Sequence, residues 1–133
     1  METEKKLKVF LVDDDTFLLN MYSLKFGKNG FEVTTSQGGA DALKKLKDGY
    51  VPDVVLLDII MPGMDGIALL TEIRAEKLIP NASLIMLTNQ SDTGDIEHTK
   101  ELGIDGYIVK ATSIPSEVID DVIEIYNKKK KVV

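Results

Sequence analysis

The chain has 133 residues, 44% of them hydrophobic and 29% charged, the size and balance of one globular domain. With no Cys and one His it excludes disulfides, thiolate metal sites and a conventional zinc centre, so any metal is left to oxygen ligands. A formal charge of −6 argues against a polyanion as direct partner, so no nucleic-acid contact is expected, and no apolar run approaches the roughly 18 residues of a membrane span.

Residues 1 to 6 are polar, lead into no signal-peptide core and are expected to fray, which makes a cytoplasmic location the expectation. Lys8-Val9-Phe10-Leu11-Val12 predicts a first strand that ends in Asp13-Asp14-Asp15. Three adjacent carboxylates repel one another unless a cation or solvent separates their charge. The plainer reading is a solvated acidic turn with Asp15 or Thr16 capping the next helix. Phe17, Leu18, Met21, Tyr22 and Leu24 to Phe26 recur at helical spacing, and Gly27 with Asn29-Gly30 is expected to close that helix.

Phe31-Glu32-Val33-Thr34-Thr35 alternates and predicts an edge-like strand. Gly38-Gly39 lacks both the G-x-G-x-x-G and the G-K-[ST] context, so it reads as a strand-to-helix turn rather than a phosphate loop. From Ala40 to Lys47, Ala42, Leu43 and Leu46 share one helical face and the lysines take the solvated side, until Asp48-Gly49-Tyr50 breaks the pattern.

Val54-Val55-Leu56-Leu57 has no polar alternation and predicts a strand covered on both faces, running straight into Asp58. Met61-Pro62-Gly63-Met64-Asp65-Gly66 cannot continue a strand, because Pro62 lacks an N–H and the glycines permit turn dihedrals. Asp58 is therefore expected at a strand-to-loop corner, either free for a ligand or, more plainly, bonded to its own loop. A helix follows over Ile67 to Arg74, then a buried strand Leu84 to Leu87 that ends in Thr88-Asn89-Gln90. Asp92 to Leu102 predicts a more polar helix with His98 facing solvent. Tyr107-Ile108-Val109 predicts a fifth strand ending in Lys110, and Pro115 to about Lys128 an amphipathic helix whose Lys128 to Lys131 run complements its carboxyl end.

Five strands alternating with five helices predict an α/β fold, a doubly wound five-stranded parallel sheet with helices on both faces. Ligands of such sheets bind at the carboxyl ends of the strands, where four strands here end in Asp13-Asp14, Asp58, Thr88 and Lys110. Converging carboxylates favour a hard cation, and Mg²⁺ fits because it takes oxygen ligands and pairs with phosphate oxygens. A carboxylate such as Asp58 can then attack a phosphoryl group, with Lys110 and the Thr88 hydroxyl each available to a phosphoryl oxygen. Taken singly, Lys110 also reads as a snorkelling lysine and Thr88 as a turn residue.

With these residues in place, the chain resembles a response-regulator receiver domain of bacterial two-component signalling. The match is carried by Asp13-Asp14, by Asp58 with the Met61 to Gly66 loop, by Thr88 and by Lys110, and it covers roughly residues 7 to 127. The resemblance implies a flavodoxin-like sheet of strand order 2-1-3-4-5. It also implies Asp58 as phosphoacceptor, and Mg²⁺ held by Asp13, Asp14, Asp58 and the backbone carbonyl of Ile60. Tyr107 is implied as an aromatic whose position reports the state of Thr88. The implied phosphodonor is a histidine kinase or phosphotransfer protein, and the implied output a protein target bound through the 92–127 face of a monomer or phosphorylation-dependent dimer. Residues 1–133 are expected to be a single receiver domain with a core of about 7–127 and tails at 1–6 and 128–133. No output domain fits after residue 128, so the chain reads as stand-alone or as a receiver cut from a longer protein.

Two positions depart from the family pattern. Lys110-Ala111 replaces the usual Lys-Pro, and a cis bond before Ala111 costs about 2.5–4 kcal/mol, so a trans peptide is expected there and the aim of Lys110 is open. Asn89, where a smaller residue is common, is expected to crowd access to Asp58. Two other functions compete. A Mg²⁺-dependent phosphohydrolase of the haloacid dehalogenase kind would use the D-x-D-like Asp13 to Asp15, but Phe17 stands where that signature wants Thr or Val and no length remains for a cap domain. A receiver-like interaction module that takes no phosphate conflicts with intact Asp58, Thr88 and Lys110.

Overall fold

In a computed structural model, which describes residues 6–90 and 92–131, Val54–Leu57 forms a strand with all four residues buried. An aliphatic run without polar alternation has no face to offer water, so it takes a central place in the sheet. Residues 1–5 of the stretch expected to fray lie outside the described residues.

The strands are β1 (Lys8–Val12), β2 (Glu32–Ser36), β3 (Val54–Leu57), β4 (Ser83–Thr88) and β5 (Gly106–Val109). They alternate with helices α1 (Thr16–Lys28), α2 (Gly39–Lys47), α3 (Gly66–Ala75), α4 (Thr93–Glu101) and α5 (Pro115–Lys131). Every neighbouring pair is parallel and the order is β2-β1-β3-β4-β5, as expected. The alternating strand β2 lies at an edge, where one flank meets no other strand.

The period-two alternation of side chains divides the core between the two faces. Phe10, Val12, Val55, Leu57, Leu84 and Met86 pack on Ala42 and Leu46 of α2 and on Leu69, Leu70 and Ile73 of α3. Val9, Leu11, Val54, Leu56, Ile85 and Leu87 meet Leu19, Tyr22 and Phe26 of α1 and Val118, Ile119 and Val122 of α5. α4 buries only Thr99, and His98 is exposed as expected. Its carboxyl end is tied to α3 by Arg74, the guanidinium of which donates to the carbonyls of Leu102 and Gly103.

Two helix ends differ from the sequence reading. α1 continues through Gly27 to Lys28, and the chain turns at Gly30 with φ 87°. An interior glycine costs a helix only about 0.5–1 kcal/mol, less than burying the Phe26 ring returns, and Phe26 is fully buried on that last turn. α5 runs on to Lys131, so the stretch from 128 expected as a tail is helical up to that residue. Lys129 anchors this last turn by donating to the Ala82 carbonyl at 2.9 Å and to Asp105 at 3.1 Å.

Candidate functional site

The register of β1 on β3 pairs Val12 with Leu57, so Asp13 and Asp58 emerge side by side at the carboxyl edge of the sheet. The Asp58 N–H extends the ladder by donating to the Val12 carbonyl at 3.1 Å. β1 is also where the strand order reverses, since its two neighbours are β2 and β3. The connections there leave in opposite directions and open a crevice.

Glycine lets the loop after Asp58 fold back on its own strand. The Gly66 N–H donates to the Ile59 carbonyl at 2.8 Å, and a Cβ on Gly66 would overlap the Asp58 carbonyl oxygen. Across the cleft edge, a Cβ on Gly39 would overlap the Met64 carbonyl, so the Gly38-Gly39 turn serves close packing on the Asp58 loop. Asp65 caps α3 by accepting from the Ala68 N–H.

Lys110 follows β5, two strands from β3, and spans the gap with its side chain. Its Nζ lies 2.6 Å from Asp13 Oδ2 and 3.0 Å from Asp58 Oδ2. The three side chains are only 9–12% exposed, so this is a largely desolvated cluster. All described peptide bonds are trans, that before Ala111 included, and Lys110 opens a short 3₁₀ turn over Lys110–Thr112. Replacing the usual proline therefore leaves the ammonium directed at the acids.

One ammonium serves two buried carboxylates. Burial raises the Asp13 carboxyl above its ordinary 3.8, against the lowering influence of the Lys110 and Asp15 hydrogen bonds. Burial by itself would lower Lys110, yet its bonds to Asp13 and Asp58 and their charges outweigh this and raise it above 10.5. Asp14 is exposed beside them, and one oxygen each of Asp13, Asp14 and Asp58 lie within 4.8 Å of one another. Three carboxylates against one ammonium leave negative charge uncompensated, and an all-oxygen donor set of this kind fits a hard divalent cation. Asp15 stands apart: it is the N-cap of α1, accepting from the N–H groups of Phe17 at 3.0 Å and Leu18 at 3.3 Å.

Thr88 and Tyr107 are not in contact with the carboxylates through any described hydrogen bond. Thr88 is fully buried, and its Oγ1 accepts from the Gln90 N–H at 3.3 Å. The Tyr107 hydroxyl donates to the Gln90 carbonyl at 2.6 Å. The two residues are thus joined through the backbone of Gln90, a residue the sequence reading passed over because a backbone contact leaves no mark in side-chain type. An open cleft of about 250 Å³ lies over the cluster, lined by Asp13 to Asp15, Leu18, Asp58, Ile60, Thr88, Asn89, Gln90 and Lys110. Ile60 is 59% exposed and Asn89 is exposed on the same rim.

A family model described as the response regulator receiver domain matches residues 9–122. The chain is 38% identical over 118 residues to the probable transcriptional regulator ycf27 of Guillardia theta, covering 89% of this chain and 44% of that protein. It is 34% identical over 119 residues to the DNA-binding response regulator MtrA of Mycobacterium tuberculosis, covering 90% of this chain and 50% of that one. The chain therefore spans about half the length of the curated relatives it matches. Among solved structures, a CheY-like response regulator receiver domain protein of Methanospirillum hungatei superposes with a TM-score of 0.86 at 24% identity, covering 96% and 98% of the two chains, a likeness of fold.

These relatives correct one expectation. A charge of −6 argues against nucleic acid as a direct partner, yet relatives matched over nine-tenths of this chain are named DNA-binding response regulators. Net charge describes the surface of this span alone and carries no information on segments that the relatives hold beyond it.

Proposed function

Since this chain belongs to the response regulator receiver domain family, we propose that Asp58 accepts a phosphoryl group from a histidine kinase or phosphotransfer protein. The observation that carries this reading is the convergence of Asp13, Asp14 and Asp58 within 4.8 Å at the strand order reversal, under an open cleft. Asp58 supplies the attacking oxygen. A new O–P bond forms as the P–N bond of a phosphoimidazolium breaks, and the imidazole departs neutral.

Lys110 orients Asp58 in the free protein and offers its charge to the phosphoryl oxygens after transfer. Asp13, Asp14, Asp58 and the Ile60 backbone carbonyl are the assigned holders of Mg²⁺, which when bound supplies charge neutralisation at the phosphoryl oxygens. The Thr88 hydroxyl is the second protein donor to that group, released for it by giving up the Gln90 N–H. Asn89 and Ile60, on the rim, limit access to the acceptor. A cytoplasmic location fits this reading. Among the described residues no helix is long and apolar enough to cross a membrane.

The chain in this reading is a phosphoacceptor that switches rather than an enzyme that turns over. DNA binding, the activity in the MtrA name, is the output class assigned to a longer protein carrying this receiver. Incubation with acetyl phosphate and Mg²⁺ tests the proposal. One hydroxylamine-labile phosphate per chain is expected. Continuous release of phosphate would instead indicate a phosphohydrolase, and no adduct would indicate an interaction module.

A further inference from the structure

Of the 16 lysines and arginines in the chain only Arg74, on α3, is an arginine. It stands where a planar fork serves and a point charge does not. Its Nε donates to the Leu102 carbonyl at 2.9 Å and its Nη2 to the Gly103 carbonyl at 2.5 Å, so one guanidinium grips two successive carbonyls just past the last turn of α4. Gly103, at φ 83°, turns the chain there, and the Gly103 and Ile104 N–H groups fold back on the Lys100 and Thr99 carbonyls. The Leu102 and Gly103 carbonyls lie beyond the reach of the helix's own bonds, and Arg74 takes both.

The apolar contacts of this segment lie at the same end. Leu102 and Ile104 pack against the core cluster shared by α2 and α3. Thr99, the one buried residue of α4, is in its second half and turns its hydroxyl back to the Ile96 carbonyl of the same helix. Toward the amino end the helix has no comparable hold among the described residues. Ile96 is half-buried but joins neither apolar cluster, and Asp92 caps only the N–H groups of Gly94 and Asp95. Gly94 and the β-branched Thr93, Ile96 and Thr99 add little intrinsic helicity. The loosely held end is the one that follows Gln90, whose backbone meets Thr88 and Tyr107.

We infer that Arg74 is the pivot of α4: it holds the carboxyl end of the helix on α3 while the amino end moves with the backbone of Gln90 when Asp58 carries a phosphoryl group. The helix then tilts about its last turn instead of sliding or melting as a unit. A partner that distinguishes the two states must touch the amino half of α4, because the seam at Arg74 keeps one geometry in both. The tilting rests on the proposal that Asp58 is a phosphoacceptor, whereas the one-ended anchor does not.

The test uses Arg74→Lys, which keeps the charge and gives up the fork. Lys47→Gln is the control, since Lys47 ties α2 to Glu76 at the same end of α3 by a 3.1 Å ion pair. Hydrogen exchange on the unphosphorylated, metal-free protein compares two bonded amides, Ile96 on the Asp92 carbonyl and Ile104 on the Thr99 carbonyl. Ile104 should be protected roughly 10-fold more than Ile96 in wild type and in Lys47→Gln, and Arg74→Lys should remove most of that difference. Equal protection in wild type, or a difference that survives in Arg74→Lys, overturns the anchor. With beryllofluoride and Mg²⁺, amide shift changes in wild type should be largest from Thr93 to Glu97 and vanish at Leu102 to Ile104, whereas in Arg74→Lys they should extend through Ile104. Changes at Leu102 to Ile104 as large as those at Thr93 to Glu97 in wild type, or the same profile in Arg74→Lys, overturn the pivot. A wild type with the skewed protection and no response to beryllofluoride anywhere overturns the phosphoacceptor reading and the tilting with it, while leaving the anchor established.

Discussion

Tyr107 donates its hydroxyl to the backbone carbonyl of Gln90 at 2.6 Å, pinning β5 to the loop that follows Thr88. Since the Gln90 N–H meets the Thr88 hydroxyl, a pull on Thr88 by a phosphoryl group on Asp58 should reach Tyr107 through the backbone of that one residue. Tyr107→Phe removes one neutral hydrogen bond and should lower stability by about 1 kcal/mol. Thr88→Ala should leave Asp58 able to accept phosphate while uncoupling Tyr107. Amide and ring NMR shifts with and without beryllofluoride check this, and an undiminished response over residues 92–110 in Thr88→Ala would show that the hydroxyl is not the link.

Asp58→Asn should abolish the hydroxylamine-labile adduct while keeping the fold. Removing one of two carboxylates held to a single ammonium relieves like-charge repulsion in a cluster 9–12% exposed, so thermal stability should rise or hold. Labelling with phosphate-tagged acetyl phosphate, beside a melting curve, reads both outcomes.

Lys110→Ala should destabilise the metal-free protein by about 3 kcal/mol, because it strands two largely buried carboxylates without their cation. The raised Lys110 value also fixes a pH signature. A cation raised on folding contributes fully below its unfolded value near 10.5 and loses that contribution as pH climbs through the higher folded value. On the alkaline side, the stability difference between wild type and Lys110→Ala, measured by denaturant titration, should therefore begin to shrink above about pH 10.5.

Asp14→Ala should weaken Mg²⁺ binding more than Asp15→Ala, since Asp14 shares the 4.8 Å cluster and Asp15 is the α1 N-cap. Asp15→Ala should instead cost about 1 kcal/mol in stability. Protons compete for the same oxygens. With Asp13 raised by burial, Mg²⁺ affinity in the wild type should begin to fall at a higher pH than an unburied aspartate would set as the solution is acidified. Isothermal titration at several pH values measures both effects.

Gly66→Ala should be among the most damaging small substitutions. Its Cβ would overlap the Asp58 carbonyl oxygen, a backbone atom that yields only by moving the carboxyl end of β3. A loss of about 3 kcal/mol is expected, with slowed phosphorylation of the fraction that remains folded. Gly63→Ala would act through its φ of 74° alone, as nothing crowds it, and should be milder.

Much of this molecule was determined by the sequence acting locally. Apolar runs such as Val54 to Leu57 specify buried strands, and Asp15 and Asp92 start helices, each through contacts within a few residues. The rule that ligands meet the carboxyl ends of parallel strands then singled out Asp13, Asp58, Thr88 and Lys110 without coordinates. Only tertiary structure decided which of these touch. Lys110 meets Asp13 across 97 positions and Asp58 across 52, a pairing set by strand order and register. Tyr107 meets the backbone of Gln90, not Thr88 itself, and Arg74 meets the carbonyls of Leu102 and Gly103. Such relationships depend on where a side chain ends in space, which hydrophobic periodicity and turn chemistry do not encode. The glycines show the same division: a turn at Gly38-Gly39 was legible, whereas the need for no side chain at Gly39 and Gly66 arises from Met64 and Asp58 once the chain has folded back upon them.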